Sequence, residues 1–178
     1  MKTPTDILRD EHILILRGLD ALEAAAQCLQ SGAPAREEWW TELLAWLRGF
    51  ADQNHHAKEE NFLFPAMIKA GVPAEGGPID VMLEEHEQGR ALIHAMAASG
   101  GAKRAAYARK YVDLLRAHIE KENGVLFPLA ETVLEEAGQI HLHHEFAKVE
   151  SELGRPASFS HAEAVVGGLA AVLAPATV

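Results

Sequence analysis

Cysteine is almost absent: Cys28 is the only one in 178 residues. A single thiol excludes an internal disulfide framework and a zinc site built on cysteines. Basic charge is short as well, with 16 Lys and Arg against 26 Asp and Glu, a formal net charge of −10. That balance argues against non-specific nucleic-acid binding, which needs a basic face. No apolar run reaches the roughly eighteen residues of a membrane span. The opening MKTPTDILRDEH lacks the apolar core of a signal peptide, so the expected location is the cytoplasm. Hydrophobic residues make up 48% of the chain, which excludes disorder as its main state. Tyrosine is scarce, at two, whereas histidine numbers ten. A chain rich in imidazole and carboxylate is a candidate metal binder.

No segment alternates apolar and polar residues as a half-buried strand would, and the pattern reads as helix almost throughout. Thr3-Pro4 looks like an N-cap and first helical residue. Ile7, Leu8, His12, Ile15, Leu16, Leu19 and Leu22 then follow a helical stripe, closed by Ser31-Gly32 and Pro34. A second helix opens near Ala35, carries Trp39, Leu43, Trp46 and Phe50 on one face, and runs to about Phe62. Pro65 is expected to break or kink it, with a short continuation that ends at Gly71 before Pro73. A third starts after Gly76-Gly77-Pro78 with Val81, Met82, Leu83, His86, Leu92 and Ile93 inward. The fourth runs from about Lys103 to Gly124, with Pro128 in the role of Pro65. Short connections favour antiparallel neighbours, so the expected fold is all-α: an antiparallel four-helix bundle over residues 1–153. Residues 154–178 are expected to form a partly helical C-terminal tail, with Ser160 to Leu173 packed on the bundle or on a partner. A homodimer is compatible with this reading.

The most informative feature is a repeat. Residues 55–65 read HHAKEENFLFP and residues 118–128 read HIEKENGVLFP, an offset of 63 with six of eleven positions identical. Each copy has His, Glu four residues on, then Leu-Phe-Pro, and each follows a helix carrying Glu-His, at Glu11-His12 and Glu85-His86. Residues four apart lie about 40° apart around a helix, one turn along it. His55 and Glu59 therefore point one way, as do His118 and Glu122. His12 and His86 lie on the apolar faces of their own helices. Four helices thus deliver four imidazoles and two carboxylates to one interior volume. Unpaired buried charges of this kind are too costly to keep, and a pair of cations would offset that cost. His56, about 60° from Glu59 in projection, is a seventh candidate. Leu-Phe-Pro reads as a plug that ends each helix below the site.

Taken singly, each of these histidines reads as a hydrogen-bonded core residue and each His-x-x-x-Glu as a surface pair. The duplication and order make metal binding the joint reading. Glu60 and Glu87 are expected beside the site or in solvent, and Tyr111 in the core. His94, His141, His143, His144 and His161 are not expected to ligate. No Glu stands three residues before any His, and His-Glu-x-x-His is absent, which argues against ferritin-like and zinc-protease sites.

His12, HHAKEENFLFP, LEEHEQGR and HIEKENGVLFP together resemble the hemerythrin-like, or HHE cation-binding, domain family over residues 4–152. The resemblance implies an up-and-down four-helix bundle around a non-haem di-iron centre bridged by two carboxylates. By matching position it implies His12, His55, Glu59, His86, His118 and Glu122 as ligands of two iron ions, with other divalent metals accepted; some relatives ligate where His56 stands. Oxygen-carrying members have a second His four residues after the third-helix His, where this chain has Arg90. They also place Asp five residues after the fourth-helix His, where Glu122 follows at four. The implied function is binding or sensing of oxygen, nitric oxide or peroxide, or iron handling. Two alternatives are a di-iron oxidoreductase and a metal-stapled interaction module.

Overall fold

The computed structural model describes residues 2–32, 35–154 and 158–173; these are helical apart from short connections, with no strand among them. Helix α1 (Pro4–Ser31) starts in a capping box. The Thr3 hydroxyl accepts from the Asp6 N–H, and the Asp6 carboxylate accepts from the Thr3 N–H. It ends at Gly32, where φ is 80° and the glycine N–H donates to the Cys28 carbonyl. Pro34, expected at this stop, lies outside the described residues.

Helix α2 (Glu37–Trp46) gives way to other winding well before Phe62, and the expected short continuation follows Pro65 without a gap. The chain winds on as π-helix over Leu47–His56 and Glu59–Leu63, then passes directly into α3 (Phe64–Lys69). The Phe64 N–H reaches five residues back to the Glu59 carbonyl, and Pro65 falls in the first turn of a new α segment. A missing N–H is tolerated there. The second copy repeats this. After α4 (Pro78–Ala97) and α5 (Gly101–Lys121), a π segment, Glu122–Leu126, carries the chain into α6 (Phe127–Val133) past Pro128. Leu-Phe-Pro is therefore a change of winding and not a stop. Two further helices follow, α7 (Glu136–Leu153) and α8 (Phe159–Leu173).

Helix α1 packs on α5 and α8, α4 packs on α5, and the α2 rod lies against α1 and α4 through its first π segment. Helix α8 also packs on α2, where the indole N–H groups of Trp39 and Trp46 donate to the carbonyls of Leu169 and Ala162. Helix α7 lies across α1 and the two π segments of the α2 rod. The inner face of α4 is Met82, His86, Gly89, Ile93 and Met96; Val81 and Leu83, expected inside, are exposed. They flank Met82 by about 100° on either side, too far round to share its face.

Buried apolar residues form two clusters. One gathers Leu14, Ile15, Phe50, Ala51, Ile93, Leu115 and Ile119 with the tryptophans; the other gathers Leu8, Leu63, Phe64, Met82, Leu126, Phe127 and Phe146. Each rod crosses from one cluster to the other at its polar residues: His12 lies between Leu8 and Leu14, Glu59 between Ala51 and Leu63, His86 between Met82 and Ile93, Glu122 between Ile119 and Leu126. The fold thus holds a polar layer between two dry ones.

Candidate metal centre

All seven residues singled out by the sequence meet in that layer. His12 comes from α1, His55 and His56 from the end of the first π segment, and Glu59 from the start of the second. His86 comes from α4, His118 from α5, and Glu122 from the start of the last π segment. None is more than 4% exposed. They form two groups, each with ligand atoms within 4.8 Å of one another: His12, His55, Glu59 and Glu122, and His56, Glu59, His86 and His118. Glu59 belongs to both. Adjacent histidines can serve one centre because i→i+5 winding puts more residues in a turn, so His55 and His56 project closer together than in an α-helix. His56 stacks on His86 with ring centroids 3.9 Å apart. Arg90 points elsewhere: it donates to Asp52, Glu60 and Glu87.

Four of the imidazoles are held from behind. Nδ1 of His55 donates to Glu11 at 2.9 Å, that of His118 to Glu85 at 2.9 Å, that of His86 to Glu60 at 2.6 Å, and that of His12 to Asn123 Oδ1 at 3.0 Å. A proton fixed on Nδ1 leaves Nε2 as a bare lone pair aimed inward, the arrangement that orients metal-binding histidine. Nε2 of His86 and of His118 lie 3.1 Å apart, and Nε2 of His118 lies 3.2 Å from the Glu122 carboxylate.

The remaining inward atoms are orphans. Both carboxylate oxygens of Glu59 and of Glu122, Nε2 of His12 and of His55, and Nδ1 of His56 are buried without a hydrogen-bond partner. Unsatisfied buried polar atoms are rare, and seven in one volume point to a missing ligand. Burial pushes the His55 imidazole down to about 4, against the pull of Glu11, so it is neutral near pH 7. Burial, then the charges of His86 and His55, also hold His56 well below the ordinary range. Burial and the neighbouring Glu122 charge push Glu59 well up, while His118 and His12 hold Glu122 well down against burial. Without cations the two carboxylates cannot both ionise here. Five imidazoles and two carboxylates suit a pair of divalent or trivalent ions, and the donor set fits.

Phe127 stacks on His12 at 5.4 Å and Phe64 on His86 at 6.0 Å, so the repeated phenylalanines wall the centre. Glu60 holds His86, as one expected outcome had it; Glu87 is exposed against Arg90. Tyr111 is buried in the apolar core. The sequence set Glu11 and Glu85 before their histidines without giving them a role and did not single out Asn54 or Asn123, although the lysine identical in both copies, Lys58 and Lys121, pairs with Glu11 and Glu85. Among the described residues His94, His141, His143, His144 and His161 join neither group.

The sequence model of the hemerythrin HHE cation-binding domain matches residues 3–130. The chain belongs to that family. No curated protein and no solved structure matches it.

Proposed function

We propose that this chain is a non-haem di-iron protein that binds or senses oxygen, nitric oxide or peroxide, or handles iron. The observation that carries the reading is the pair of buried ligand groups sharing Glu59. His12, His55, Glu59 and Glu122 would hold one ion, and His56, Glu59, His86 and His118 the other. A bound iron pair would supply redox change and coordination positions for a small ligand. The protein's own part is legible around it. Glu11, Glu60, Glu85 and Asn123 hold four imidazoles from behind, and Phe64 and Phe127 stack on the rings of His86 and His12.

The rods would form an up-and-down antiparallel four-helix bundle. Supporting this, partners on neighbouring rods run in opposite order: His12 meets Asn123 while Asp20 meets Arg116, and Glu60 meets His86 while Asp52 meets Arg90. Residues 1–153 would be the metal-binding unit and 154–178 an appended segment.

The test is metal analysis of anaerobically purified chain, with about two iron atoms expected for two ligand groups. Spectra on adding oxygen, nitric oxide or peroxide should then change only in loaded protein. His118→Ala should lose metal; full content in that variant would overturn the ligand assignment.

A further inference from the structure

The centre is duplicated in its ligands but not in what supports them. In the first half, Glu11 accepts from His55 Nδ1 at 2.9 Å, from Asn54 Nδ2 at 3.0 Å and from Lys58 Nζ. Lys58 is fully buried, and its ammonium also donates to Glu150 on α7 at 2.7 Å and lies 5.8 Å over the Phe146 ring. In the second half, Glu85 accepts from His118 Nδ1 at 2.9 Å and from Lys121 Nζ. The position matching Asn54 is Ala117, which has nothing to donate. Lys121 is 41% exposed where Lys58 is buried, and Glu85 is more open than Glu11. Beside His86, the carboxylate of Glu60 and the guanidinium of Arg90 also reach solvent in part.

This difference bears on how a cation leaves. Exchange requires an imidazole to turn away while water or a competing donor takes its place. When His118 turns, Glu85 and Lys121 relax into solvent and no charge is stranded. When His55 turns, Glu11 keeps Lys58 and Asn54 but loses its third donor at a buried position, and a buried carboxylate short of a hydrogen bond is costly. Resting on the di-iron reading above, we infer that the two metal positions exchange unequally. The ion held by His56, Glu59, His86 and His118 leaves first, through the face of Glu85, Lys121 and Arg90. Helix α7, through Glu150 and Lys58, locks the ion held by His12, His55, Glu59 and Glu122. Each group offers four donors, so donor number alone sets no order of release.

The experiment follows iron(II) release from the anaerobically loaded full chain into excess ferrous chelator. Two phases of equal amplitude are expected. Glu150→Gln, a change at a half-exposed position that leaves the ligands in place, should speed the slow phase about threefold, in line with loss of a part-exposed ion pair, and leave the fast phase alone. After the fast phase, diethyl pyrocarbonate followed by peptide mapping should modify His86 and His118 while His12 and His55 stay protected. A single phase, acceleration of the fast phase by Glu150→Gln, or earlier modification of His12 and His55 would overturn the inference and leave the di-iron reading standing. A chain that takes up no iron would overturn both.

Discussion

A Cβ built on Gly18 would lie 2.4 Å from Cζ3 of Trp46, and that ring is held by its indole N–H to the Ala162 carbonyl. The ring cannot give way cheaply, so Gly18→Ala should cost roughly 1–3 kcal/mol, as overpacking does. At Gly89 the same atom would meet Tyr111 at 3.5 Å, an ordinary contact. Gly89→Ala should be neutral or gain up to about 1 kcal/mol of helix propensity. Urea midpoints of the two variants measure the contrast; equal effects would refute the packing argument. Glu11 is a different case. Its removal leaves the Lys58 ammonium buried with Glu150 alone and His55 Nδ1 without an acceptor. Glu11→Ala should cost about 3–5 kcal/mol and lower metal content, read by unfolding and elemental analysis. The seven ligand candidates were legible because spacing and duplication fix their direction on each helix. The role of Glu11 and Glu85 was not, because an acidic residue beside a histidine looks like any solvated helix position until the next rod is placed.

Most helices were legible from capping and punctuation: Thr3-Pro4, Gly32 and Pro78 all act where expected. The π segments were not. Their hydrogen bonds reach one residue further back than an α-helix allows, and no residue type signals that change. Pro65 and Pro128 therefore read as breaks or kinks, and they mark a return to α winding. The inner face of α4 was misjudged at Val81 and Leu83 because hydrophobicity alone does not say which side meets a neighbour. Helix α8 packs its Ala162, Val166 and Leu169 face onto α1 and α2. Burial of Val166 and Leu169 alone is worth roughly 3–6 kcal/mol. A chain ending at Gly154 should therefore lose stability by about that much. Its tryptophan emission should shift to longer wavelength as Trp39 and Trp46 meet water. It should still bind metal, since α8 supplies none of the seven residues. Loss of metal on truncation would contradict the proposed division at residue 153.

Across the whole molecule, a polar layer separates two apolar clusters, and the rods cross it with seven buried ligand candidates. The clusters can hold the helices together without metal, since both are dry and draw on several rods. The layer between them is poorly satisfied by the protein alone: the Glu59 and Glu122 carboxylates are buried without hydrogen-bond partners, Glu59 held well up by burial and Glu122 well down against burial by His118. A metal held by these residues would bind the folded state and find no such assembly in the unfolded chain, so occupancy would add stability by mass action. Free metal at about a hundred times its dissociation constant would add about 2.7 kcal/mol per site. The metal-free chain should keep its helical circular dichroism yet melt at a lower temperature, and the midpoint should climb with free iron(II) or another divalent ion. A metal-free chain that is wholly unfolded would mean the clusters do not suffice. An unchanged midpoint would mean the seven residues do not bind metal, because filling that layer with cations cannot leave its stability untouched.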